Sequence, residues 1–214
     1  MTKSRQRVID HGEVFTPPGL VNDMLDLVAQ ECERVDSRFL EPACGDGNFL
    51  AEVLRRKLTT VDRRQGRNAE KWRRDAVLAV SSLYGIDLLP DNVAECRERL
   101  LQVVTERHAA RLKADLPEDA RRAVAFILSR NVVQGDALTM RRADGRPIDF
   151  PEWSPVNGTN LKRRDYRFSH LLEQAEYGGD QLFSDLGEEV RTPEPVGEFP
   201  VCHYLNVPDA EDAA

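Results

Sequence analysis

No two of the four cysteines, Cys32, Cys44, Cys96 and Cys202, stand at CxxC spacing. That argues against a zinc site or a disulfide framework and for reduced, buried thiols, so no metal is expected. No apolar run approaches the roughly 18–20 residues that cross a bilayer, which excludes a membrane partner from the expectation. The opening residues, Met1 to His11, are polar and lack the apolar stretch of a secretory signal. The Asn157-Gly158-Thr159 sequon is therefore read as chance, and the expected location is cytoplasmic. Internal repeats are also missing.

With 214 residues, 41% hydrophobic and 31% charged, the chain has enough material for one good core and is short for two. The net charge is −7, whereas proteins that hold duplex DNA alone usually present a basic face. The signs are segregated along the chain. One basic stretch holds Arg55, Arg56, Lys57, Arg63, Arg64, Arg67, Lys71, Arg73 and Arg74. A second holds Arg141, Arg142, Arg146, Lys162, Arg163 and Arg164. From Glu173 onward the chain is acidic except for Arg191. Solvated helix faces with an acidic tail account for this pattern as well as a nucleic-acid face does.

The turn Phe15-Thr16-Pro17-Pro18 leads into an amphipathic helix opened by Pro18 or Gly19, with Leu20, Val21, Met24, Leu25 and Val28 at helical spacing. Arg38 to Leu40 reads as a strand running into the loop Glu41-Pro42-Ala43-Cys44-Gly45-Asp46-Gly47. A helix follows over residues 48–58 with Asn48 as its cap. Residues 59–75 are polar, basic and weakly periodic, and read as an insertion. The apolar run Ala76 to Ile86 predicts a buried strand ending at Asp87. Pro90 opens a long helix, residues 118–128 predict another, and Asn131 to Gln134 a strand ending in Gly135-Asp136. Ile148-Asp149-Phe150 reads as a fourth strand and residues 166–174 as a helix. Pro193 to Pro200 reads as extended, and residues 209–214 as a frayed tail. Strand, glycine turn, helix, strand, helix, strand is the pattern of an α/β fold with a parallel sheet. The expected division is a core over residues 1–150 and a C-terminal extension over 151–214, docked on that core or on a partner.

Three strand ends carry chemistry. The glycines of the 41–47 loop allow a sharp turn and close approach to a ligand at the carboxyl lip of the sheet, where open α/β sheets bind ligands. A carboxylate ending the next strand, Asp87, suits the two hydroxyls of a ribose. It lies farther along than the roughly 20 residues of the dinucleotide fingerprint, an excess that an insertion at 59–75 accounts for. Asp136 is placed to accept a hydrogen bond from an adenine amino group, with Ala137-Leu138 offering an apolar edge. Each aspartate alone reads more readily as a cap or a turn residue, and it is the three positions together that point to a ligand.

Four segments in order, Gly12 to Pro18, Phe39 to Gly47, Tyr84-Gly85-Ile86-Asp87 and Gly135-Asp136-Ala137-Leu138, resemble the N6-adenine DNA methyltransferases of restriction-modification systems. The resemblance covers about residues 12–140. It implies a Rossmann-like fold with a mostly parallel sheet, helices on both faces, and S-adenosylmethionine (SAM) as cofactor. It further implies that Phe15, Thr16 and Pro17 close over the methionine end. Glu41, Pro42, Ala43, Cys44, Gly45, Asp46 and Gly47 would line the amino acid and sulfonium, Asp87 would take the ribose, and Asp136, Ala137 and Leu138 the adenine. DNA is the implied partner, together with a protein partner supplying target recognition.

One expected element is missing. A fourth strand in such enzymes ends in Asn-Pro-Pro-Tyr or a close variant, because a flipped adenine needs an aromatic ring to stack on and polar groups to hold its amino group. The nearest candidates are Ser154-Pro155-Val156-Asn157 and Asn160, with Trp153 and Tyr166 as aromatics. Residues 151–214 are too few to complete such a sheet and add a target-recognition domain, so the sheet is expected to stop after its fourth strand. Two readings remain, a SAM-dependent adenine methyltransferase with a diverged loop near Trp153–Asn160, or a SAM-binding subunit or regulator without catalysis. Action on RNA or a small molecule is a third. No catalytic residue is assigned.

Overall fold

The computed structural model describes residues 16–172 and 194–211. Helix α1 (Pro18–Asp26) starts at the expected proline and buries Val21 and Leu25. Leu20, Met24 and Val28 stay exposed, so its apolar stripe is only half used. After α2 (Ala29–Glu33) and strand β1 (Phe39–Glu41), the glycine loop leads into α3 (Asn48–Gln65). Gly47, at φ 86°, is the N-cap residue, and Asn48 is already inside the helix. The side chain of Asn48 donates to Asp46 (2.8 Å) and does not cap.

The largest correction concerns residues 59–81. No irregular insertion is present: α3 continues to Gln65, and α4 (Ala69–Ser81) follows a break at Gly66–Asn68. Asn68 caps α4 by accepting from Lys71 N (3.0 Å). The run predicted as a strand from Ala76 is therefore helix as far as Ser81, and β2 is only Leu83–Asp87. Trp72, Ala76, Ala79 and Val80 fall at 3–4 spacing and are all buried. A short apolar run does not by periodicity alone separate a strand from a buried helix, and here packing decides. The next crossover also holds two helices, α5 (Pro90–Leu112) and α6 (Glu118–Asn131), before β3 (Val132–Asp136).

β1, β2 and β3 form a parallel sheet in that order, with Glu41 beside Gly85 and Asp87 beside Gln134. β4 (Arg141–Arg142) adds an antiparallel edge on β3. The protein is thus α/β with a mostly parallel four-stranded sheet. The fourth strand is β4; the segment at Ile148 joins a different sheet. Alternation sets the two faces. Leu83 and Val132 join the large core with residues of α1–α6, while Tyr84, Ile86 and Val133 point the other way.

That second face carries a hairpin as well as the start of a helix, whose Phe168 and Leu172 pack there. Ile148, Phe150 and Phe168 cover it, with Tyr84–Phe150 and Phe150–Phe168 ring centroids 5.3 and 5.4 Å apart in edge-to-face contact. Phe150 belongs to β5 (Asp149–Val156), which forms an antiparallel hairpin with β6 (Asn160–Arg167) and crosses the expected 150/151 boundary. A helical turn begins only at Phe168, not at 166, and its described part ends at Leu172. Short strands β7 (Gly197–Glu198) and β8 (Cys202–His203) pair with β6. Asp209 and Glu211, expected in a frayed tail, form ion pairs with Arg122 and Arg130. No described helix is long and apolar enough to cross a membrane.

The end of the sheet opposite the glycine loop is closed by buried polar groups. Lys57 Nζ donates to Val35 O (3.2 Å), Ser37 O and Ser82 Oγ (2.7 Å), and lies over the Phe39 ring. Burial lowers its pKa to about 7. The Asn131 amide donates to Ser81 O (3.1 Å) and Leu83 O (2.9 Å) and accepts from Trp153 Nε1 (2.9 Å). These bonds tie helix, sheet and hairpin together.

Candidate functional site at the carboxyl edge of the sheet

The loop after β1 keeps pairing with β2 for one more step, since Cys44 N donates to Ile86 O (2.9 Å). It then turns back, with Gly47 N donating to Cys44 O (2.9 Å). Gly47 has no alternative at this point: besides its positive φ, a Cβ there would lie 2.7 Å from Cys96 Sγ. The Cys44 thiol points inward beside Gly85, and contact with Cys96 together with burial pushes its pKa upward. Cys44 therefore holds the loop to the core by its side chain, and only its backbone lies at the lip.

Gly45 N donates to Asp87 Oδ2 (2.9 Å), so the glycine loop and the acid of the next strand are directly joined. Asp87 Oδ1 accepts from Leu89 N (2.9 Å) and from the buried Asn92 Nδ2 (3.0 Å). A carboxylate has about four acceptor positions, so these three bonds leave Asp87 close to saturated. Asp46 is gripped from α5: Arg99 Nε donates to its carbonyl oxygen and Arg99 Nη2 to Oδ2, both at 2.8 Å. Charge on both partners strengthens the carboxylate prong of this fork.

Glu41 ends β1 on the same edge. It is half-buried, burial raises its pKa, and a backbone hydrogen bond at Ala43 opposes that shift. Among the described residues it has no cation within ion-pair reach. At the end of β3, Asp136 accepts from Leu138 N (2.8 Å) and Thr139 Oγ1 (3.0 Å). Those bonds, the Leu138 amide foremost, lower its pKa. This is turn chemistry, yet the turn lies on the edge that holds Glu41 and Asp87. Two large apolar side chains stand in solvent beside it, Leu88 at 59% and Leu138 at 93% exposure. Ala137 packs against the second-face cluster, and Pro42 and Ala43 are exposed on the loop. Phe15 lies outside the described residues. Thr16 and Pro17 precede α1, and no hydrogen bond among the described residues joins them to the glycine loop.

The sequence therefore identified Glu41, the 42–47 loop, Asp87 and Asp136 as neighbours on one edge, and missed Arg99 and Asn92. Both lie on α5 among charged positions that resemble a solvated face; their only signal is being one and three turns downstream of Asp87.

The hairpin changes the catalytic question. Ile148 lies against Gly135 near the carboxyl end of β3, whereas Trp153 bonds to Asn131 just before β3 begins. β5 thus runs from the carboxyl edge to the amino edge, and its turn at Asn157–Thr159 lies at the far end of the sheet. The segment Trp153–Asn160, considered as a diverged catalytic loop, does not face the glycine loop. Trp153 is a buried core residue, and Tyr166 sits beside Glu152, with burial raising its pKa. Nor does the second basic stretch form one face. Arg163 is buried, its guanidinium 4.0 Å from the Phe199 ring and paired with Asp165, and Lys162 and Arg164 pair with Glu198. Among the described residues no cluster of three or more potential metal ligands occurs. Comparison with family models, curated proteins and solved structures finds no match for the chain.

Proposed function

We propose that this chain is the cofactor-binding half of a SAM-dependent DNA methyltransferase of the N6-adenine type, with Glu41, the 42–47 loop, Asp87 and Asp136 as its SAM site. The observation that carries the reading is a row of three carboxylates on three successive parallel strand ends, one hydrogen-bonded to the glycine loop. SAM asks for what this edge offers. A half-buried Glu41 with no cation beside it among the described residues suits its ammonium, a carboxylate beside a glycine turn suits its ribose, and exposed Leu88 and Leu138 suit the faces of its adenine. When bound, SAM would supply an electrophilic methyl group whose transfer depends on positioning. Because Asp87 already accepts three hydrogen bonds, a ribose gripped by both hydroxyls must share or displace the Leu89 or Asn92 donor.

The described residues bring no aromatic ring and amide together at this edge, which favours a subunit completed by a partner over an enzyme active alone. The test is calorimetry with SAM beside transfer of labelled methyl to unmethylated DNA. Binding by the wild-type chain, weakened about 10- to 100-fold in Glu41→Gln, is expected for a charged hydrogen bond worth roughly 1.5–3 kcal/mol. Folding stability should not fall in that variant, since Glu41 is desolvated without a counter-charge. No SAM binding by the wild type sinks the reading. Transfer to DNA by the chain alone would replace it with the second reading, a complete methyltransferase.

A further inference from the structure

Only part of the second basic stretch is neutralised. Lys162, Arg163 and Arg164 are consumed by Glu198 and Asp165. Arg141 and Arg142 make up β4, and neither forms an ion pair among the described residues. Their strand is short but rigidly built. Arg142 N donates to Arg146 O (2.8 Å), Gly145 N to Arg142 O (2.9 Å) and Ile148 N to Met140 O (2.9 Å), so residues 140–148 form a tight ribbon. Its turn needs glycine at 145, where φ is 81°. At its base Gly135 meets Arg141 O so closely that a Cβ would lie 2.7 Å from that oxygen.

The pairing register makes the missing ion pair informative. Arg141 is directly across from Asp136 in the antiparallel ladder, where opposite charges on one face normally meet. Asp136 instead accepts from Leu138 and Thr139, and the Arg141 guanidinium, among the described residues, donates to Gly145 O (2.8 Å). Arg142 lies near Arg97, whose charge it opposes, and near Asp144, whose carboxyl it helps hold down, with Arg97 itself satisfied by backbone carbonyls of Ser129 and Val132. Arg146, at the tip, is paired with Asp144. The outer edge of the sheet thus holds guanidinium charge that no ion pair among the described residues takes up, beside the proposed cofactor site, in a protein whose net charge is −7.

We infer that the 140–148 ribbon is a phosphate-contacting element that lays a nucleic-acid backbone along the carboxyl edge, with Arg141 and Arg142 as its anchors. This rests on the proposed reading of DNA as methyl acceptor, and it assigns the position of that acceptor relative to the cofactor. Arginine suits the task because its planar fork binds phosphate oxygens in pairs. Such contacts position a duplex without reading its sequence.

The test is fluorescence anisotropy of a labelled DNA duplex titrated with the full chain over a range of salt concentrations. The double variant Arg141→Glu/Arg142→Glu is compared with Lys162→Gln, which removes a paired basic residue. The double variant should bind at least about tenfold more weakly at low salt. The slope of log affinity against log salt should shrink by about 1–2, because each phosphate that the protein no longer neutralises removes roughly 0.9 from it. Lys162→Gln should match the wild type. Equal affinity and slope in the double variant, or no duplex binding by the wild-type chain at any salt, overturns the inference. So does competition by polyglutamate as effective as that by DNA, which would make the ribbon an acidic-protein contact. SAM calorimetry on the same variants separates the two claims. Loss of duplex binding with no SAM binding in any protein, wild type included, would leave the ribbon standing and remove the cofactor reading.

Discussion

The two ends of the parallel sheet handle their buried polar groups differently. At the amino end a connected set of buried groups finds its partners inside the protein: Lys57 serves three oxygens, Asn131 three groups, and Trp153 gives its only N–H to Asn131. At the carboxyl end the same sheet leaves Glu41 without a cation among the described residues, and Leu88 and Leu138 in water. A satisfied network rigidifies, whereas an unsatisfied one costs free energy unless something outside completes it. One end is a structural joint; the other is incomplete in the way a binding edge is. That contrast, more than any single motif, supports the functional reading.

The contrast breaks most visibly at Asn131. Replacing it with alanine orphans Ser81 O, Leu83 O and the Trp153 N–H together, and should cost about 3–5 kcal/mol. Urea denaturation measures the loss, and an unchanged midpoint would mean the joint is decorative. SAM affinity of the folded fraction should stay near wild type.

Next comes pH. Lys57 has a folded pKa of about 7 against 10.5 when unfolded. Between those values the unfolded chain holds a proton that the folded chain has released, so stability rises with pH across that window. Below pH 7 both states are protonated and the full cost of the buried charge is present. The gain from pH 7 to 9 should be about 2–3 kcal/mol, and it should vanish in Lys57→Met. Equal pH dependence in both proteins would place the Lys57 proton elsewhere.

The smallest effect is expected at the open end. Arg99→Ala removes the fork on Asp46 but leaves partly exposed groups that water can serve. Stability should therefore change by under about 1 kcal/mol, while SAM affinity falls roughly tenfold because the loop loses its brace. Recovery of affinity in Arg99→Lys would show that charge alone suffices; persistent loss would show that the two-pronged geometry matters.

What the sequence made legible follows the same division. The carboxyl edge could be read because its requirements are local: a glycine where φ is positive at Gly45 and Gly47, and an acid ending each strand. α1, α5, α6 and β3 were legible from proline starts and apolar spacing. Illegible were choices made by distant partners. Ala76 to Ser81 became helix because α3 and the sheet bury it, and Asn92 and Arg99 acquired roles only when α5 docked beside the loop. The course of β5 was likewise invisible: neither Trp153 nor Ser154-Pro155-Val156-Asn157 carries any sign of which sheet end it will reach. Long-range packing carries that segment away from the glycine loop, and nothing local in its residues signals it.

The two tryptophans of the chain divide between the layers. Trp72, within the helices, donates to Asp62 (2.7 Å) and meets the His108 ring edge-on at 5.3 Å. Trp153 belongs to the hairpin, under the Arg163 guanidinium. Each layer therefore carries its own emission probe, and two single-tryptophan proteins would report the loosening of helices and hairpin separately. His108 adds a built-in quencher. Its Nε2 is buried without a partner among the described residues, and burial lowers its pKa, so Trp72 should stay bright into mild acid and dim only as that layer admits a proton.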